Sequence, residues 1–103
     1  MIQIKRRGNL VGPVAVCDHC GEEITDPANA GVVWQETLDA RDKALGTFYF
    51  VHYDCDDEFM RSRGEKGKAW SSVELDQWLV YLTNNVKLNY KKARFKAVIS
   101  SQF

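Results

Sequence analysis

Cys17-Asp18-His19-Cys20 and His52-Tyr53-Asp54-Cys55 are the stretches that decide how this chain folds. Each holds two donor side chains with two residues between them, a spacing that lets both reach one ion. Thiolates with a neutral imidazole, closed into a tetrahedron, are a usual structural zinc set. The candidate ligands Cys17, Cys20, His52 and Cys55 use every cysteine of the chain. A redox Cys-x-x-Cys normally opens a helix. Here Glu22-Glu23-Ile24-Thr25-Asp26-Pro27 follows without a helical apolar period, so the metal reading ranks above the redox one.

Outward from these pairs, the pattern reads as α+β. Ile2 and Ile4 alternate with polar residues, and Gly8-Asn9 separates them from Leu10-Val11 and Val14-Ala15-Val16, which predicts an N-terminal hairpin. Pro13 suits an edge position or a bulge. Cys17 to Gly21 then has the shape of a zinc knuckle, with Gly21 supplying the conformation needed after the second thiolate. Residues 24–30 are turn chemistry. Val32–Thr37 and Thr47–Val51 predict two strands that pair antiparallel across the polar connection 39–46. Residues 52–63 predict a helix: Asp54, Asp56, Asp57 and Glu58 crowd its start, Arg61 and Arg63 its end, and Gly64 caps it. His52 and Cys55 then share the first turn, and Phe59 continues their buried stripe.

The order knuckle, hairpin, helix resembles a treble-clef zinc finger, and the ligand set is similar to the first zinc module of LIM domains. The resemblance covers residues 14–63. It departs from LIM in the longer gap between Cys20 and His52, and in Glu58 standing where a second module would begin with Cys. What it implies is one structural zinc in a treble-clef-like module. It implies no particular function, since treble clefs bind proteins or nucleic acids, build ribosomes and cleave DNA.

Beyond the module, residues 64–70 read as a flexible link in which Trp70 is either core or an interface anchor. Ser71 and Glu74 form a capping-box pattern, so the spacing of Leu75, Trp78, Leu79 and Leu82 predicts a helix over 72–83. Residues 86–99 fit both a helix and alternation, and the helix is preferred. The whole of 71–99 is thus expected to be a helical extension within a single domain, 1–103.

Composition narrows the function. At 103 residues with 45% hydrophobic content, the chain is long enough for one modest core, and a metal staple is a standard supplement to a small one. No apolar run approaches a membrane span, and the N-terminus lacks a signal-peptide core, so a cytoplasmic, thiol-reducing setting is expected. Net charge is zero but lopsided: residues 1–63 hold 7 basic and 11 acidic residues, residues 64–103 hold 7 and 3. Lys87, Lys91, Lys92, Arg94 and Lys96 interleave with Tyr90 and Phe95, a candidate partner-binding segment. Four protein ligands would close the zinc, and of the two histidines one is a ligand. His19, between the knuckle cysteines, is expected to point outward and stand idle. The chain is accordingly read as a non-enzymatic, zinc-stabilised binding protein. A protein partner is preferred on overall neutrality, and the alternative is nucleic acid held by the basic C-terminal segment and Lys5-Arg6-Arg7.

Overall fold

A computed structural model describes residues 1–37 and 46–100. Strands β1 (Ile2–Arg7) and β2 (Leu10–Ala15) form the expected antiparallel hairpin, turning at Gly8 with φ +61°. Pro13 lies opposite Ile4 in this two-stranded ribbon, where a missing N–H is tolerated. The knuckle follows, closed by the Cys17 N–H on the Glu22 carbonyl and the Gly21 N–H on the Cys17 carbonyl. Gly21 has φ +78°, a conformation that costs other residues about 1–2 kcal/mol. A 3₁₀ turn, Pro27–Asn29, is capped by the Asp26 carboxylate on the Ala28 N–H.

The second sheet runs in the order β4-β3-β5, all antiparallel, with β3 (Ala30–Thr37) between β4 (Phe48–His52) and β5 (Lys68–Glu74). Both of its faces are covered. On one face Val33, Val51 and Tyr49 pack with Cys17, Cys55, Phe59 and Trp70. On the other face Val32, Phe50 and Val73 pack with Ala30, Leu75 and Trp78. This double burial explains why Val32-Val33-Trp34 and Phe48-Tyr49-Phe50-Val51 are continuously apolar and do not alternate. Helix α1 (Tyr53–Arg63) lies on the first face through Phe59, and α2 (Leu75–Asn85) on the second through Leu75 and Trp78. Each fully buried Val or Phe is worth about 1.5–3 kcal/mol.

Several expectations need correction. Residues 64–70 are not simply a link: β5 begins at Lys68, and Trp70 is half-buried, its indole N–H donating to the Met60 carbonyl at 3.1 Å. The Ser71–Glu74 capping box does not form. Ser71 sits in β5 opposite Trp34 and donates to Glu36 Oε2 at 2.7 Å, so α2 starts at Leu75 and not at 72. The extension 71–99 is therefore strand before it is helix. His52 ends β4 and flanks α1 without joining it. Gly64 is extended (φ −64°, ψ 131°) and makes no left-handed cap. The end of α1 is held by Gln35, which donates to the Arg63 carbonyl and accepts from the Glu65 N–H. Residues 86–99 do contain a helix, α3 (Tyr90–Ser100), which leaves Lys87 in the preceding turn at φ +55°. The connection 39–46 lies outside the described residues except for Gly46.

Candidate metal centre

The knuckle docks against the outer edge of β4. Phe50 donates its N–H to Asp18 Oδ2 at 2.8 Å and accepts from the Asp18 N–H at 2.7 Å, so these backbone groups point away from β3. Two residues on, the His52 N–H is directed at Cys17 Sγ at 3.5 Å. The strand end thereby delivers His52 to the two knuckle cysteines, and the first turn of α1 delivers Cys55. The donor atoms of Cys17, Cys20, His52 and Cys55 all lie within 4.8 Å of one another.

These distances suit a cation. Donors at about 2.3 Å (sulfur) and 2.0–2.1 Å (nitrogen) from an ion at the centre of a tetrahedron stand about 3.6 Å apart. Cys20 Sγ and His52 Nδ1 are separated by 3.4 Å. Three sulfurs and one imidazole nitrogen form a soft donor set, matched to a borderline-soft divalent ion and poorly matched to calcium or magnesium. Cys17 is buried, Cys55 and His52 are partly buried, and Cys20 is exposed, so the cluster opens to solvent on the Cys20 side.

The electrostatics fit the same reading. Burial pushes the Cys17 thiol up, but the backbone N–H groups of Cys20, His52 and His19 outweigh it and bring it from 9.0 down to about 6. Burial, and then the charge on Cys17, push Cys55 from 9.0 up to about 12. One thiolate is thus prepared by the backbone, while the next is resisted by the first. A cation at the centre reverses that resistance, because it favours every thiolate around it.

Sequence reasoning found all four donors and missed their support. Asp18 fixes the knuckle to β4, yet nothing about an aspartate between two cysteines distinguishes it in advance. His19 does point outward but is not idle: its Nε2 is 3.4 Å from Glu58, and its ring meets the edge of Phe59 at 6.3 Å. The candidate partner segment is only partly brought together. Lys91 and Lys92 share a helical face, Tyr90 and Arg94 lie to one side, Lys96 lies to the other, and Lys87 is off the helix. Among the described residues none of these five cations has an acidic partner. Lys5 and Arg7, by contrast, both pair with Glu23, at 3.5 and 2.6 Å.

Searches of family models, of curated proteins and of solved structures find no match to this chain. Among the described residues no helix is long and apolar enough to cross a membrane.

Proposed function

We propose that the chain is a small, zinc-stapled docking protein, treble-clef-like over residues 14–63 and without catalytic activity, working where thiols stay reduced, as in the cytoplasm. The observation that carries the structural role is the four-donor cluster. Catalytic zinc keeps a coordination position open for water, and four protein donors leave none. Zinc is the ion of choice because a Cys₃His set is among its ordinary closed sites. The docking role rests on the C-terminal helix, where Tyr90, Phe95, Val98 and Ile99 are 65–72% exposed beside the unpartnered cations. Exposed large apolar residues gathered on one side of a helix, as Phe95, Val98 and Ile99 are, mark interaction sites.

Nucleic acid remains the second reading, favoured by the free cations and the exposed rings of Tyr90 and Phe95, on which bases stack. The aliphatic side chains Val98 and Ile99 gain nothing from phosphates, and the pairing of Lys5 and Arg7 with Glu23 weakens the N-terminal half of that reading. The test is affinity capture of the metal-loaded protein from its native cell extract, with nuclease present. One partner captured by the wild type and lost by Phe95→Glu, with zinc content unchanged, supports protein docking. Capture abolished by nuclease, or indifferent to Phe95→Glu, refutes it. Elemental analysis finding no stoichiometric zinc refutes the staple.

A further inference from the structure

Helix α3 carries its large apolar residues in solvent. Residues 91, 92, 95, 98 and 99 fall on one face of a 3.6-residue helix, and residues 93 and 97 on the opposite side. The large apolar residues Phe95, Val98 and Ile99 are 66–72% exposed, while Ala93, one of the two small residues, is the partly buried one. Every residue of α3 except Ala93 is exposed, and the side that carries its large apolar residues reads Lys91, Lys92 and then Phe95, Val98, Ile99: a basic head and an apolar tail.

The counterpart of that face is present on the same molecule. Helix α1 shows Asp54, Asp57 and Glu58 on one exposed side, with Arg61 a turn further on, a net charge of about −2 facing the +2 of Lys91 and Lys92. Beside it lies an open hollow of about 570 Å³ lined by Asp57, Met60, Arg61 and Trp70. Met60 and Trp70 supply it with apolar wall, and Asp57 and Arg61 supply its charge.

We infer that the occupant of the exposed α3 face is a second copy of this chain, each copy laying its α3 across the acidic side of the other's α1. The assignment rests on the docking reading given above and names its partner. A two-fold axis makes the contact twice, since whatever one copy offers the other receives. Charge favours this pairing over α3 packed in parallel against α3, which would bring Lys91 and Lys92 of both copies together, and over antiparallel α3 pairing, which leaves both pairs of lysines without an acidic partner. Phe95, Val98 and Ile99 at their exposure present roughly 400 Å². Used twice and matched by equal loss on the receiving sides, that face would bury at most about 1,600 Å², the order of a specific interface.

The test is sedimentation velocity on the full, zinc-loaded chain over a concentration series at low salt. Two charge-reversed variants are compared: Lys91→Glu/Lys92→Glu on α3, and Asp57→Lys/Glu58→Lys on α1. The wild type is expected to dimerise. Each variant alone is expected to dissociate, its dimer weakened about a hundredfold by like charges set face to face. An equimolar mixture of the two is expected to recover a dimer, because both of its contacts are again opposite in sign. Circular dichroism and zinc content check that each variant is folded. Phe95→Glu, at a position two-thirds exposed, serves as the variant that leaves folding untouched and is expected to be monomeric. A wild type that is monomeric throughout, an α1 variant that dimerises like the wild type, or a mixture that stays monomeric overturns the assignment. A monomeric wild type that still captures a nuclease-resistant partner overturns the second copy and leaves the docking reading intact.

Discussion

Removing the metal is expected to collapse one half of this fold before the other. A chain of this length holds a net stability of about 5–15 kcal/mol. Structural zinc in small modules contributes an apparent 10–16 kcal/mol, roughly the whole of it. The metal-free chain should therefore sit near or below zero net stability. The loss is not uniform. Cys17 and Cys55 belong to the apolar cluster of Val33, Val51 and Phe59, whereas the cluster of Ala30, Val32, Phe50 and Leu75 lies across the sheet and includes no ligand. Chelation is expected to release the knuckle and α1 first, leaving residual order in α2 and the strands it covers. The assay is hydrogen exchange resolved by segment, with far-UV circular dichroism, on protein shown by elemental analysis to be free of metal. Amide protection in α1 equal to that of the zinc-loaded protein, with an unchanged thermal midpoint, would refute the reasoning.

Three further outcomes follow from the same geometry. Phe59→Ala removes a ring 5.1 Å from Tyr49 and 6.0 Å from Trp70, with the Arg63 guanidinium 5.0 Å above it, and should cost about 3–5 kcal/mol in urea unfolding of the zinc-loaded protein. Gly21→Ala places a Cβ in open space but at φ +78°, so its cost is conformational alone, about 1–2 kcal/mol, read as a roughly tenfold loss of zinc affinity. Zinc uptake at neutral pH should release protons and weaken as pH falls. The Cys55 thiol, pushed up to about 12, is protonated there before the ion arrives, whereas Cys17, lowered to about 6, is already a thiolate until acidification takes the solution below that value. Calorimetry in buffers of different ionisation enthalpy counts the protons, and a count of zero would contradict the assignment.

The four-residue donor cluster was legible because metal spacing is local: two residues between donors can be read without knowing the fold. Strands β3 and β4 were legible for a similar reason, their β-branched and aromatic runs being dense enough to survive any context. Strand β5 was not. Ser71-Ser72-Val73-Glu74 matches a helix start, and only pairing with β3 decides otherwise, through a register that sets Ser71 opposite Trp34 and Val73 opposite Val32. That pairing is tertiary and outweighs local preference. The role of Gln35 at the end of α1 was hidden likewise, since the residues it joins are 28 and 30 positions away. The exposed face of α3 was within reach. Once residues 90–100 are taken as a helix, the spacing of Lys91, Lys92, Phe95, Val98 and Ile99 follows at once, but not that all of the helix except Ala93 stands exposed.

The hold of Asp18 and Cys17 on Phe50 and His52 has a bearing on solubility. With the metal in place, the knuckle occupies the outward hydrogen-bonding groups of Phe50, at the middle of Phe48-Tyr49-Phe50-Val51, a segment with no charge and high β propensity. A chain that loses its ion uncovers that side as a ready template for strands of other chains. Metal starvation would then threaten this protein with intermolecular β aggregation as well as with unfolding, and the ion would act as a guard on its most adhesive strand.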